Sequence, residues 1–230
     1  MSHNGSVMTS SQSSPPPQHD VKIPAGAGVL EGTIAVPQGA RGLVVFAHGS
    51  GSTRFSPRNR LVAERLHRAG LATLLTDLLT GPEEELDQRT GRLRFDIALL
   101  GMRVVAILDS LAKDPETAAL ATGVFGASTG AAAALLAAAQ RPHLVRAVVS
   151  RGGRPDLAAQ ILDQVKAPTL LIVGGRDEEV LGLNRTALAQ LRVEKELAVV
   201  AGATHLFEEP GTLEQVADVA AAWFARHLIP

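Results

Sequence analysis

The sequence predicts an α/β fold with a mostly parallel central sheet and helices on both of its faces. Three observations carry that prediction. Apolar runs of buried-strand length, such as Leu43-Val44-Val45-Phe46-Ala47, recur along the chain. Amphipathic or alanine-rich stretches of helical length alternate with them, and short glycine-bearing loops separate the two. Such alternation implies right-handed crossovers, and in these sheets ligand sites gather beyond the carboxyl ends of the strands. Functional residues are therefore sought immediately after strands.

The elements follow in order. Val21–Ile23 and Gly28–Pro37 read as short strands that pair, closed by the turn Pro37-Gln38-Gly39. Leu43–Ala47 is a buried strand, and His48-Gly49-Ser50-Gly51-Ser52 is the loop after it. A helix over Pro57–Ala69 places Leu61, Val62, Leu66 and Ala69 on one face, and Gly70 ends it as a left-handed cap. Leu71–Thr76 is a strand. Asp77–Arg94 reads as a polar loop holding Gly81-Pro82 and the acidic run Glu83-Glu84-Glu85. Then come helix Asp96–Ala112, strand Thr122–Gly126, helix Thr129–Ala139 and strand Arg146–Ser150. A short helix over Asp156–Val165 precedes strand Thr169–Val173. Helix Leu181–Leu191, strand Glu196–Val200 and helix Thr212–Leu228 close the chain. There is no internal repeat.

Composition bounds the chemistry. A chain of 230 residues suits one domain, here residues 21–230, with a substantial core. Aromatic residues make up 3% and the net charge is -1, which argues against a nucleic-acid platform or an anionic-membrane surface. The absence of cysteine excludes disulfides, thiolate metal sites and a cysteine nucleophile. Residues 1–20, rich in Ser, Pro, Gln and His, read as a disordered tail without a secretory apolar core. No stretch is apolar for the roughly 18 residues that a membrane span needs. A cytoplasmic location is the default expectation, and the oligomeric state is left open.

Three reactive residue types pass the positional filter. Ser128 lies between strand Thr122–Gly126 and a helix, in Gly126-Ala127-Ser128-Thr129-Gly130. Asp177 follows strand Thr169–Val173 through Gly174-Gly175-Arg176, and His205 follows the last strand through Gly202-Ala203-Thr204. A serine on a sharp strand-to-helix turn needs small neighbours at positions 126 and 130, because other backbone passes close. Its hydroxyl is a poor nucleophile at neutral pH and needs a base, which His205 would supply while Asp177 holds the imidazole. The N–H groups of Thr129 and Ser50 are the expected oxyanion donors. Taken singly, each feature has a plainer reading: a turn serine, an exposed histidine, an N-cap aspartate. Together, in the order serine, acid, histidine, they favour a nucleophilic site. His67, His143 and His227 read as solvated, His3 and His19 lie in the tail, and His48 orients the oxyanion loop. No His, Asp and Glu cluster has metal-ligand spacing, and no cofactor is expected.

The runs His48–Arg60 (HGSGSTRFSPRNR), Gly126–Gly130 (GASTG), Gly174–Asp177 (GGRD) and Gly202–Phe207 (GATHLF) resemble the dienelactone-hydrolase-related branch of the α/β-hydrolases, from about residue 28 onward. The resemblance implies a sheet of seven or eight strands and carboxylic ester hydrolysis, with Ser128, Asp177 and His205 in the roles given above. Two departures stand out. True dienelactone hydrolases carry cysteine at the elbow, and an arginine after the catalytic histidine helps hold the substrate carboxylate. Here serine stands at the elbow, and Leu206-Phe207-Glu208-Glu209 follows His205. A general carboxylesterase is the better match.

The segment between strands Arg146–Ser150 and Thr169–Val173 holds one crossover helix and no cap domain. Only Asp77–Arg94 is long enough for a partial lid, so the site is expected to be open and shallow, suited to small esters. Arg54, Arg58, Arg94 and Arg151 are candidates for its rim, where they would favour anionic substrates; the alternative is that they are solvated or paired with Glu83–Glu85. A thioesterase, amidase or acyltransferase using the same residues, and a non-enzymatic binding module, remain open at this point.

Overall fold

The computed structural model describes residues 15–229, and these described residues form eight strands and six α-helices. Strands β1 (Gln18–Ala25) and β2 (Gly28–Ala35) make an antiparallel hairpin whose register runs from Gln18 opposite Ala35 to Ala25 opposite Gly28. The first strand thus begins before Val21. Gln18, His19 and Asp20, assigned to the tail on composition, belong to the sheet because the ladder continues through polar residues on an exposed edge. Of the rest of the expected tail, residues 15–17 precede this strand without regular structure, and residues 1–14 lie outside the described residues.

Strands β3 (Gly42–Ala47), β4 (Ala72–Thr76), β5 (Ala121–Ala127), β6 (Val145–Arg151), β7 (Thr169–Gly174) and β8 (Lys195–Val200) are mutually parallel. The strand order is β1-β2-β4-β3-β5-β6-β7-β8. After β3 the chain first adds β4 on one side and then β5 on the other. The order therefore reverses between β3 and β5, and a crevice opens above their carboxyl ends.

Both faces of the sheet are covered, so its central strands are apolar on both sides rather than alternating. In β3, Leu43, Val45 and Ala47 pack toward the helices α3 (Ile97–Leu111) and α4 (Thr129–Gln140), while Val44 and Phe46 pack toward α1 (Pro57–Arg68) and α6 (Thr212–Leu228). Full burial of each such Val, Leu or Phe is worth about 1.5–3 kcal/mol. The alanines of α4 let that helix sit close: Ala131–Ala134, Ala137 and Ala138 are all buried. Helix α3 approaches it through Gly101, where a Cβ would stand 2.6 Å from Leu136 Cδ2.

One connection differs from the sequence reading. Asp77–Arg94 is not a loop: it holds α2 (Gly81–Thr90) and a turn of 3-10 helix at Leu93–Phe95. Local signals explain the helix. Thr80 and Glu83 form a capping box, Pro82 stands in the first turn, and Gly91 ends the helix in the left-handed conformation with φ 64°. The sequence conceals it because just one of its residues, Asp87, is buried, so there is no apolar stripe to read. Helix α5 (Glu178–Gln190) and a 3-10 segment at Pro155–Gln164 complete the crossovers. No described helix is long and apolar enough to cross a membrane.

Candidate active site

Ser128 stands between β5 and α4 with φ 50° and ψ -120°, a region that non-glycine residues seldom occupy. Strain of this kind costs on the order of 1–3 kcal/mol and persists only where the surroundings impose it. Those surroundings are visible here. The Ser128 N–H donates to Arg151 O at 3.1 Å, and Ser128 O accepts from the N–H groups of Ala131 and Arg154, both at 3.1 Å. Neither flanking glycine tolerates a side chain: a Cβ on Gly126 would stand 2.4 Å from Ala131 Cα, and one on Gly130 2.2 Å from Ala47 O. The elbow is thus wedged between β3 and its own helix.

The loop after β3 runs beside the serine. A Cβ on Gly49 would lie 3.1 Å from Ser128 Cβ. His48 is buried and holds this loop by both ring nitrogens. Its Nε2 accepts from the Leu78 N–H at 3.1 Å, so Nδ1 carries the proton and donates to Gly49 O at 2.9 Å. Burial lowers its pKa, which keeps the ring neutral and this tautomer in place. His48 therefore has the orienting position expected of it. The Ser50 and Thr129 N–H groups have no acceptor among the described residues. Thr129 is the first residue of α4, where helix geometry leaves N–H groups without partners.

Asp177 and His205 meet across the ends of β7 and β8. His205 Nδ1 donates to Asp177 Oδ2 at 2.6 Å, with the Asp177 side chain 14% and the His205 side chain 38% exposed. Gly174 allows the approach: a Cβ there would stand 2.5 Å from Ala203 O and 2.6 Å from Thr204 O. Arg176 N–H donates to Ala203 O at 2.9 Å, tying the two loops together. On the other side the His205 ring lies against Gly152, whose Cβ would be 3.5 Å from His205 Cε1. Residues 151–154 thus contact Ser128 through their backbone and His205 through Gly152. No hydrogen bond joins Ser128 Oγ to His205 among the described residues.

Two residues that hold the histidine loop escaped the sequence reading. Phe207 is 2% exposed, packs in the α1/α6 core and adopts φ 57°, uncommon for a bulky residue. Glu209 accepts from the Thr204 N–H at 3.1 Å, and this bonding holds its carboxyl below the usual range. An apolar residue two places after the histidine was the available signal for Phe207.

The arginines separate. Arg54, expected as a substrate contact, is instead held by Asp77 and by Glu31 Oε2 at 2.7 Å, so its charge is matched within the fold. Arg94 is clamped by the buried Asp87, to which it donates through Nε at 2.6 Å and through its backbone N–H at 3.1 Å. Burial alone would raise the Asp87 pKa, but the hydrogen bonds from Arg94 and Leu93 hold it below the ordinary carboxylate value. Arg94 Nη1 is directed at the loop, 3.5 Å from where a Cβ on Gly51 would stand, and a narrow cleft there is lined by Gly49, Ser50, Arg94 and Thr129. Arg58 stands 3.6 Å from Glu208, and Arg151 is buried. None of the four meets Glu83–Glu85; Glu83 pairs with Arg103 at 2.5 Å.

Of the remaining histidines, His143 is exposed as expected, and His19 is exposed but lies in β1. His67 is partly buried with Nε2 2.7 Å from Thr73 Oγ1, and the partly buried His227 ring packs against Trp223, tilted by 58° with centroids 4.6 Å apart. Among the described residues no three His, Asp or Glu side chains are grouped to hold a metal ion.

The sequence pattern of the dienelactone hydrolase family matches residues 30–227. A crystal structure of a dienelactone hydrolase from Anabaena variabilis is 57% identical, with a TM-score of 0.92 over 94% of this chain and 100% of that one. The esterase Est1E from Butyrivibrio proteoclasticus is 16% identical, covers 90% of this chain and 98% of its own, and has a TM-score of 0.76, a likeness of fold. A Mycobacterium tuberculosis protein named as a phosphoribosyl transferase is 59% identical over 215 residues, which are 93% of this chain and 48% of that protein. The chain thus spans about half the length of the curated relatives it matches.

Proposed function

The chain belongs to the dienelactone hydrolase family, and from that premise we propose that it is a serine hydrolase that cleaves small carboxylic esters through an acyl-enzyme on Ser128. One observation carries the reading: the loop of residues 151–154, which bonds the backbone of a serine held at φ 50°, also touches the ring of a histidine bonded through Nδ1 at 2.6 Å to Asp177. Hydrogen bonding to the carboxylate fixes the Nδ1 proton and leaves His205 Nε2 free to take the serine proton. Ser128 Oγ then attacks the ester carbonyl. The Ser50 and Thr129 N–H groups receive the developing oxyanion, the alcohol departs with the proton from His205, and water deacylates the serine with His205 as base.

Arg94 is assigned to the substrate rim because Asp87 fixes it while its Nη1 points toward the oxyanion loop. Arg54 is left out, since two carboxylates already engage it. The transferase name belongs to a protein about twice as long, and the hydrolytic reading concerns the segment present here. A small-molecule ester is the partner this reading requires, with no cofactor.

The test is turnover of 4-nitrophenyl acetate by the protein and by Ser128→Ala, alongside labelling with a fluorophosphonate. Hydrolysis and labelling that both vanish in Ser128→Ala are expected. Activity that survives the substitution would remove Ser128 from the mechanism, and an unlabelled, inactive protein would favour a binding module.

A further inference from the structure

Asn184 lies in α5, the helix that starts directly after Asp177, and it is fully buried at 0% exposure. Its Nδ2 donates twice: to Val180 O at 2.8 Å, one turn back, and to Gly153 O at 2.9 Å, 31 positions away in sequence. Gly153 belongs to the short loop after β6 and is itself buried, so its carbonyl needs a donor from within the protein. The loop is close-packed there. A Cβ on Gly153 would stand 1.9 Å from Ser150 Oγ and 2.7 Å from Ala131 Cβ.

An alanine at position 184 would suit the helix better and would bury no polar group. Asn184 Oδ1 is buried without a partner, which is unfavourable and which α5 by itself does not explain. The bond to Gly153 does, because of what its loop touches. The Ser128 N–H donates to Arg151 O, and Ser128 O accepts from the Arg154 N–H, each at 3.1 Å, so the two bonds bracket Gly153. Gly152 lies against the His205 ring and donates its N–H to Ile172 O in β7 at 2.7 Å. The clamp comes from the helix that Asp177 caps. Ser128, Asp177 and His205 follow three separate strands, and residues 151–154 are the backbone that joins the serine to the other two.

We propose that Asn184 is a positioning residue for ester hydrolysis, which holds loop 151–154 and with it the place of Ser128 relative to His205. The kinetic consequence rests on the esterase reading; the hold on the loop does not.

The full chain is compared with Asn184→Ala, and with Leu111→Ala as a control that opens the core at the amino-terminal ends of the strands. Asn184→Ser serves where the alanine variant does not fold, since a hydroxyl still reaches Val180 O one turn back but is too short for Gly153 O. With 4-nitrophenyl acetate, kcat of the Asn184 variant is expected to fall about tenfold to hundredfold with KM little changed, because a displacement of about 1 Å suffices for such a loss. Leu111→Ala should lose stability and keep its kcat. In a His205→Ala background the Asn184 substitution should cost nothing further, since no base remains to be aligned. Hydrogen exchange of the Ser128 and Arg154 amides should quicken in the Asn184 variant and not in Leu111→Ala. A kcat equal to that of Leu111→Ala overturns the proposal, as does an equal proportional loss with and without His205, which marks general damage to the fold. Unchanged exchange at Ser128 and Arg154 also overturns it, as does failure of both Asn184 variants to fold. If the unaltered protein turns over no ester, the esterase reading fails, and the exchange arm alone decides whether Asn184 holds the elbow.

Discussion

His205 Nδ1 and Asp177 Oδ2 stand 2.6 Å apart, joined across the carboxyl ends of two adjacent parallel strands, β7 and β8. Asp177→Asn retains the shape but presents an amide, which stabilises the opposite tautomer and leaves Nε2 protonated. A fall of about 10⁴ in kcat is expected, with KM for a neutral ester little changed. Steady-state kinetics on 4-nitrophenyl acetate check this, and a loss below tenfold would remove Asp177 from the mechanism.

The two glycines Gly130 and Gly182 make opposite predictions. A Cβ on Gly130 would meet the carbonyl oxygens of Ala47 and His48 at 2.2 and 2.4 Å, and backbone cannot move aside as a side chain can. Gly130→Ala is expected to destabilise by about 1–3 kcal/mol or more and to displace the elbow. Gly182 sits within α5 facing open space, so Gly182→Ala should stabilise by about 0.5–1 kcal/mol. Urea denaturation of both variants measures the contrast.

Asp87 is the anchor of the α2 region. Its Oδ1 accepts from the Leu93 and Arg94 N–H groups, and its Oδ2 accepts from Arg94 Nε. Asp87→Ala strands these donors and frees Arg94. Limited proteolysis should then cut faster within residues 81–95, and the KM for an anionic ester should rise. Unchanged proteolysis would mean that the segment is held by other contacts.

Two histidines bear on acid stability. Burial lowers the pKa of His48 and pushes that of His67 from the ordinary 6.5 down to about 4. Between about pH 6.5 and 4 the unfolded chain therefore binds more protons than the folded one, and stability falls as pH falls. The His67 contribution is fully present above about pH 6.5 and lost toward about pH 4, and His48 acts in the same direction. The urea midpoint measured across this range should decline, and His67→Gln should flatten the decline. A profile identical in both proteins would assign the acid sensitivity elsewhere.

The turn at Ser128 and the positions of Asp177 and His205 were readable because local sterics and strand ends mark them. Gly126 and Gly130 flank Ser128 for steric reasons, and Asp177 and His205 each follow an apolar run. Helix α2 was not readable, since its sole buried residue is a carboxylate and its stability comes from caps and from Arg103 and Arg94. The start of β1 was hidden too, because an edge ladder can run through polar residues such as Gln18 and Asp20. Phe207 gave a local signal in its apolar character, but its positive φ and its place beneath the histidine loop are set by the core it enters.

The sequence by itself determined the strand–helix alternation, the membership of a sheet buried on both faces, and the order of serine, acid and histidine. Those are properties of period, residue type and spacing, which act over short stretches of chain. The tertiary structure alone decided which charges are matched. Four arginines that look equivalent in sequence proved different: Arg54 is held by Glu31 and Asp77, Arg94 by Asp87, Arg58 borders the exposed Glu208, and the buried Nη1 of Arg151 has no partner. The physical reason is that ion pairing and desolvation depend on distance and burial between segments remote in sequence, and no local pattern records either.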